Sequence, residues 1–326
     1  MLIKRIYFKI LRIFMIDKLI YQIKYFFATK KINMDENEAY RKLMEFHPMP
    51  NSTPLTVNEI VSNEYDLTII VPAYNSEKWV EECLDSVVKQ DTNYKIKVKV
   101  INDGSTDNTL SLINKYKKYP FIEIINQENK GYSGARNIAL KQIESKYIMF
   151  LDSDDLLESN AINVLLDTAH KYKSDIVEGS ATAFNENGIV YTINKDNCED
   201  TRDNLWGGPC FKVINSDLFC NLEFPMNYIY EDTIISYLVI PKAKKISTIS
   251  NSVYRYRIHE NSITQKHTKK SNRIDSFWIM LLVHDCMIDL NLPINYQSYM
   301  LTMRFRIHQN PFSKSAKGLF FSSFFC

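Results

Sequence analysis

The sequence predicts an α/β protein with a Rossmann-like, mostly parallel central sheet flanked by helices. Three observations carry that reading. Short apolar runs rich in β-branched residues recur at DLTIIV (66–71), KVKVI (97–101), FIEII (121–125) and YIMFL (147–151). Helical patterns separate the runs. Polar clusters rich in Asp, Asn and Gly follow the strands. Strands alternating with helices favour parallel pairing with both sheet faces covered. Such sheets bind ligands outside the carboxyl ends of their strands.

Taken in order, the chain opens with a basic, apolar stretch. Lys4, Arg5, Lys9, Arg12, Lys18, Lys24, Lys30 and Lys31 recur among apolar residues, and Asp17 is the only carboxylate up to Lys31. The apolar runs are broken too often for a transmembrane span. No continuous apolar stretch with a small-residue cleavage site marks a secretory signal. The segment reads as an amphipathic helix lying in an anionic membrane surface. The competing reading is a helix packed on the main domain with its basic side in water. An acidic stretch and the linker HPMPNSTP follow, so residues 1–59 form a basic membrane-associating segment and linker.

Residues 60–258 make the main domain. After DLTIIV, a helix places Trp79, Cys83 and Val87 on one face, with Val80, Leu84 and Val88 beside them. Helices are then expected from near Asp107 and near Ser133. Beyond Asp155 the alternation becomes irregular. A helix is expected from Leu157 to about Lys171, then strands at DIVEG and GIVYTI. SDLF and EDTIISYLVI read as helical pieces and 247–257 as a strand. Residues 259–326 form a helical C-terminal extension containing FWIMLLVHDCMIDL. They end in an aromatic and basic tail that could meet the same membrane or fold back on the core.

Composition excludes some classes. The chain of 326 residues is 45% hydrophobic, which suits a packed core rather than disorder. A net charge of +2 and no recognised reader module argue against nucleic acid as a partner. The six cysteines contain no CxxC pair, so reduced, mostly packing thiols are expected in a cytoplasmic setting.

Three clusters at the strand ends carry the candidate chemistry. The first is Asp152-Ser153-Asp154-Asp155, directly after YIMFL. Two like unit charges about 4 Å apart repel by roughly 4 kcal/mol at an effective dielectric near 20. A divalent cation, Mg²⁺ or Mn²⁺, relieves that repulsion and can bridge carboxylates to a diphosphate. The competing reading is a solvated turn in which Asp155 caps the next helix. The second cluster is Asn102 to Thr109. Gly104 permits a tight turn there, and Asp103 could accept hydrogen bonds from a base or a ribose hydroxyl. Ser105 and Asp107 fit helix caps as well as ligand contacts. The third cluster is Asn129 to Asn137. Gly131 and Gly134 allow close backbone approach, a helix start offers amides, and Arg136 adds a cationic fork. Alternatively, Arg136 pairs with a sheet-edge carboxylate and organises the pocket without touching ligand. Neither a Walker A loop nor a dinucleotide fingerprint is present.

With Asp66, Pro72-Ala73-Tyr74-Asn75 and the strand spacing, these clusters resemble the family 2 glycosyltransferases of the GT-A fold, among them bacterial capsule and lipopolysaccharide enzymes. The resemblance is dense over residues 65–150 and continues through Asp155. It implies that Pro72, Ala73, Tyr74 and Asn75 surround the nucleotide base and that the residue matching Asp103 contacts it. It assigns metal and diphosphate to Asp152, Ser153 and Asp154, with Asp154 the principal metal carboxylate. Tyr230-Glu231-Asp232-Thr233 resembles the family's ED motif, which makes Asp232 the general base. A sugar hydroxyl is a poor nucleophile, so a positioned carboxylate must take its proton as it attacks. Glu231 could orient the acceptor or cap a helix.

Trp206-Gly207 resembles the acceptor-side stretch, where Trp206 would stack on a sugar or simply be core. The lysine or asparagine that members often place soon after is replaced by Gly208-Pro209-Cys210. The stretch from Tyr254 to Thr264 resembles a later region of bacterial members, where His259 could add a metal or phosphate contact. Arg257 and Lys266 are diphosphate neighbours or surface charges. The expected activity is inverting transfer from a nucleotide sugar, by default a UDP-sugar, to a lipid-linked or growing cell-surface glycan. The expected place is the cytoplasmic side of the cell membrane, peripherally bound. The alternatives are a non-catalytic nucleotide-sugar-binding scaffold and a sugar-1-phosphate nucleotidyltransferase. The latter should show a Gly-rich basic loop after the first strand, where this chain has PAYNSEKWV.

Overall fold

The computed structural model describes residues 36–46, 48–56, 60–202, 204–260, 274–293, 299 and 302. The basic N-terminal segment, Lys266 and the aromatic tail lie outside these residues. Among the described residues, no helix is long and apolar enough to cross a membrane. The chain forms two compact units. One comprises Met1–Met49, Lys270–Phe277 and Gln297–Cys326, and the other Pro50–Lys269 and Trp278–Tyr296. In the first, helix α1 (Glu36–Phe46) buries Leu43 and carries an exposed Arg41–Glu45 pair one turn apart.

The second unit is built on one sheet. Strands β1 (Ile60–Ala73), β2 (Ile96–Asp103), β3 (Ile122–Gln127) and β4 (Ile143–Phe150) are all parallel, in the order β3–β2–β1–β4. Leu67, Ile69, Ile70 and Val71 are all fully buried, so β1 is covered on both faces. That double burial is why its sequence reads as a continuous apolar run. Helices α2 (Val80–Val88), α3 (Thr109–Asn114) and α4 (Gly131–Leu140) connect these strands. Trp79 lies at the start of α2 rather than within it, and Val80, Cys83, Leu84 and Val87 form the buried face.

Past β4 the sheet becomes mixed. Its order continues β8–β6–β9–β5, and β7 pairs with β6. These strands are β5 (Leu156–Leu157), β6 (Ile176–Asn185), β7 (Gly188–Ile193), β8 (Lys212–Asn215) and β9 (Ile246–Arg257). β6 and β9 are parallel, while β4–β8, β6–β8, β6–β7 and β5–β9 are antiparallel. The mostly parallel reading therefore holds for the first half and gives way to alternating directions in the second. Helix α5 (Ala161–Tyr172) packs on β6 and β9.

Two expected helices differ. The helix predicted from Leu157 starts at Ala161, because Leu156 and Leu157 pair with Arg255 and Tyr254 of β9. EDTIISYLVI is π-helical over Ile235–Val239, then α-helical over Ile240–Lys242. Pro241 has no amide to close an α-helical bond back to Tyr237. SDLF forms a short helical turn, and FWIMLLVHDCMIDL lies in helix α6 (Asp275–Asp289). None of the five described cysteines forms a disulfide. Cys83, Cys210 and Cys286 are buried, whereas Cys198 and Cys220 are exposed and so are not packing residues.

The β6–β9 contact is tight at Gly179. A Cβ there would lie 2.6 Å from both methyls of Val253 and 3.1 Å from the Asn251 carbonyl. Gly179→Ala is therefore expected to destabilise the fold by about 1–3 kcal/mol, read as a lower urea midpoint.

Candidate functional site

The four parallel strands end on one edge, and the predicted clusters meet there. β4 delivers Asp152, Ser153, Asp154 and Asp155 in a tight turn, closed by the Asp155 amide donating to the Asp152 carbonyl at 3.0 Å. The four side chains are used differently. Asp155 is buried and accepts from the Tyr254 hydroxyl at 2.8 Å and the Arg257 amide at 2.6 Å. It is neither a solvated turn residue nor a cap of α5. It pins β9 to the end of β4. Ser153 is buried too, with its hydroxyl 2.7 Å from that of Ser76. Asp152 and Asp154 are the partly exposed pair, with side chains 35% and 32% accessible.

Crowding shows in the proton affinities. Burial raises the Asp154 pKa, the Asp152 charge raises it further, and His259 opposes both. Burial pushes Asp155 well up, helped by Asp154 and then Asp152. His259 Nε2 lies 2.8 Å from Asp154 Oδ2, and its ring packs against Trp79 at 5.5 Å. Arg257 is buried, so it is not a surface charge. Its Nε donates to the Asp154 carbonyl, Nη2 donates to Glu82, and the guanidinium lies over Trp79 at 4.5 Å.

Arg136, from α4, joins two parts of the site. Nη1 donates to Glu231 Oε1 at 2.7 Å and Nη2 to Asp152 Oδ1 at 3.3 Å. The guanidinium is buried and pairs with both carboxylates. Asp152 also accepts from the Cys210 thiol at 3.6 Å. Burial pushes that thiol well up, so it stays protonated. Burial likewise raises Glu231 to about 7, opposed by Arg136 and reinforced by Asp232. Asp232 is half-buried in the turn that starts the π-helical segment, with the Ile235 amide donating to its carbonyl.

The nucleotide-side loops interlock. Asn75, at φ 49°, donates from its amide to Ser105 and accepts from the Thr106 amide at 2.8 Å. Pro72 and Ala73 end β1 within the sheet, while Tyr74 is 45% exposed. Asp107 accepts from the Thr109 amide at 2.9 Å and lies one residue ahead of Asn108, the N-cap of α3. Asp103 is buried, and its Oδ1 accepts from Gln127 at 2.6 Å and from the Lys130 amide at 2.8 Å. It thus holds the entry to α4. Gly104 has φ 70°, and a Cβ there would meet the Asn129 amide nitrogen at 2.7 Å, so both backbone and space require glycine. Gly131 also has φ 70°, which serves the backbone turn, and beyond its neighbours in the chain no protein atom lies within 4 Å of where its Cβ would be.

On the opposite side, Trp206 is 43% exposed and its ring packs against Phe211 at 5.5 Å. A Cβ on Gly208 would lie 2.9 Å from Trp206 Nε1 and 3.4 Å from Asp232 Oδ2. The missing side chain at Gly208 therefore leaves the indole beside Asp232. The structure brings Asp152, Asp154, His259, Arg136, Glu231, Asp232 and Trp206 to one edge.

Sequence reasoning left several residues without a role here. Tyr132 is 43% exposed, and burial followed by the charges of Asp152 and Asp154 raises its hydroxyl pKa. Tyr254 and Lys212 are fully buried; Lys212 lies six positions after Trp206. Tyr254 lies in the strand expected over 247–257, but nothing local to it marks Asp155 as its partner.

Known proteins resemble this chain in sequence and in fold. The glycosyl transferase family 2 profile matches residues 68–224. Glycosyltransferase GlyA of Streptococcus pneumoniae serotype 4 is 31% identical over 228 residues, 63% of this chain and 32% of that protein. The chain thus spans about a third of that relative's length. The UDP-Glc:alpha-D-GlcNAc-diphosphoundecaprenol beta-1,3-glucosyltransferase WfgD of Escherichia coli is 29% identical over 223 residues, 65% of this chain and 84% of that one. In structure, residues 1–349 of S. aureus TarS in complex with UDP-GlcNAc superpose with a TM-score of 0.62 at 23% identity. That match covers 75% of this chain and 72% of the other, and it shows the shared GT-A fold.

Glu231 gives a pH signature. Its folded-state pKa lies above its ordinary 4.5, so between pH 4.5 and about 7 the folded chain holds a proton that the unfolded chain has lost. The stability this provides is present below pH 4.5 and lost as pH rises toward 7, at most about 3 kcal/mol. Glu231→Gln should flatten the fall in unfolding free energy across that window in urea titrations.

Proposed function

Because residues 68–224 are a glycosyl transferase family 2 domain, we propose that the chain catalyses inverting transfer of a sugar from a nucleoside diphosphate sugar to a hydroxyl of a cell-surface glycan. The observation that carries the proposal is the chain of contacts Asp152–Arg136–Glu231. It ties the carboxylates after β4 to the Glu231-Asp232 pair, uniting a diphosphate side and a base side in one site.

In this reading Asp232 accepts the proton of the acceptor hydroxyl. The hydroxyl oxygen bonds to the anomeric carbon as the bond from that carbon to the diphosphate oxygen breaks. The electron pair leaves on the diphosphate and the proton rests on Asp232. One displacement inverts the anomeric carbon, so an α-linked donor gives a β-linked product. Trp206 offers an aromatic face for the acceptor sugar next to the base. Tyr74 and Asn75 flank the nucleotide. Arg136 holds Asp152 and Glu231 in place rather than contacting the diphosphate.

A divalent cation, Mg²⁺ or Mn²⁺, fits the donor set. Asp154 and His259 are in contact, and the raised proton affinity of Asp154 is the mark of a crowded carboxylate that a cation would relieve. No three potential ligands converge among the described residues. Mg²⁺ commonly takes one or two carboxylates and completes its shell with substrate phosphates. Asp154 and His259 would hold it, with Asp152 beside them. When bound, it neutralises charge developing on the departing diphosphate.

The UDP-GlcNAc bound to TarS and the diphosphoundecaprenol acceptor in the name of WfgD support a UDP-sugar donor and a lipid-diphosphate-linked acceptor. The basic, apolar N-terminal sequence supports a place on the cytoplasmic membrane face, where such acceptors are presented.

A screen of nucleotide sugars with Mg²⁺ or Mn²⁺ tests the proposal. Undecaprenyl-diphosphate-linked GlcNAc and wall-polymer extracts serve as acceptors, with nucleotide and product read by mass. Asp232→Asn should lower transfer by about 10²- to 10⁴-fold while the protein still binds UDP. Undiminished transfer by Asp232→Asn would remove it as base, and a product of retained configuration would remove the single displacement. Absence of turnover alongside intact nucleotide-sugar binding would favour a scaffold. Separately, Asp154→Asn and His259→Ala should each weaken Mn²⁺ binding in the presence of UDP by calorimetry. Unchanged Mn²⁺ affinity would place the cation elsewhere.

A further inference from the structure

Glu178, Lys195 and Lys212 are charged residues buried away from the chemistry, with side chains 1%, 5% and 0% accessible. Glu178 on β6 faces Lys212 on β8 in register. Glu178 Oε1 lies 2.6 Å from Lys195 Nζ, and Oε2 lies 2.7 Å from Lys212 Nζ. Burying three charges is costly, and a well-packed apolar set often stabilises as much. Register pairing of β6 with β8 therefore does not explain their presence.

Their remaining contacts do. Lys212 Nζ donates to the carbonyls of Trp206 and Gly208 and also forms an ion pair with Glu178. Glu178 Oε1 accepts the Trp206 amide at 2.8 Å. Lys195 donates to the Asn204 carbonyl. Trp206 is thus held at both its amide and its carbonyl by buried charges, while its indole remains exposed beside Asp232. From the far side, Ser236 donates to the Gly207 carbonyl at 3.2 Å. A rigid backbone under an exposed ring is the geometry of a fixed ligand platform.

We propose that Glu178, Lys195 and Lys212 are positioning residues, a buried charge clamp that fixes the Asn204–Gly208 segment and so sets where Trp206 presents an acceptor sugar to Asp232. The clamp acts through the backbone and touches no substrate. The acceptor role rests on the reading of Asp232 as base; the fixing of Trp206 does not.

The test uses the full chain labelled with fluorotryptophan. Its three tryptophans, Trp79, Trp206 and Trp278, give three fluorine NMR lines, with the middle one assigned by Trp206→Phe. Glu178→Gln keeps shape and removes charge, and Lys195→Met removes the Asn204 contact. Each should shift or broaden the Trp206 line and leave those of Trp79 and Trp278 in place. With the donor and acceptor identified by the screen above, Glu178→Gln should raise the acceptor KM by about 10- to 100-fold, with the KM for donor hydrolysis unchanged. A Trp206 line fixed at its wild-type position in both variants overturns the clamp. So does collapse of all three lines together, which would report a purely structural triad, or an equal loss toward donor and acceptor. If the wild-type chain turns over no donor, the reading of Asp232 fails, and the fluorine lines still decide whether the clamp holds Trp206.

Discussion

Everything in this site answers to the crowding of carboxylates at the end of β4. Asp152, Asp154 and Asp155 follow one another almost directly, and burial raises the proton affinity of the latter two. Left in that state, the turn would repel itself or take up protons. The fold surrounds it with donors from four directions. Arg136 comes from α4, Tyr254 and the Arg257 amide from β9, His259 from just beyond, and Cys210 from before β8. These contacts consume Asp155 completely and leave Asp152 and Asp154 partly open. The division of labour among three similar residues comes from what each meets, since their chemistry is the same.

The two halves of the sheet serve different ends. The parallel half is local in sequence and places its loops on one edge, as a doubly covered sheet must. The mixed half carries the charges that shape the opposite wall. Its join to the first half is narrow, with β4 and β8 paired only at Tyr147↔Asn215 and Ile148↔Ile214. The side-chain bridge through Arg136 reinforces that join where it matters, next to Asp152 and Glu231.

Legibility in the sequence followed the same division. DLTIIV, KVKVI, FIEII and YIMFL were readable because both faces are buried and each loop follows its own strand. The placement of Asp152, Asp154 and Arg136 at one sheet edge could be read from those loops. The buried state of Asp103 and Ser153 could not, since their partners Gln127, Lys130 and Ser76 belong to other segments of the chain. Glu178 between Val177 and Gly179 reads as the solvent side of a strand. Only β8 and the residues after β7 turn it inward. Leu157 reads as helix because β9, nearly a hundred residues on, is what makes it a strand.

The pairing of β6 with β9 has a consequence for assembly. Ile176 faces Ile246, and the segment between them must close before any of that ladder forms. Closing long loops lowers entropy before contacts compensate for it, so non-local pairing is slow. β1 to β4 can gather through near neighbours, whereas β9 depends on a distant partner. Yet β9 carries Tyr254 and Arg257, and leads into His259. On topological grounds, the nucleotide-side half takes shape first, and Asp154 and Asp155 gain their side-chain partners only when the last long strand arrives. A nascent chain would therefore carry an inert half-site until its fold is finished, which couples the onset of chemistry to the completion of the architecture.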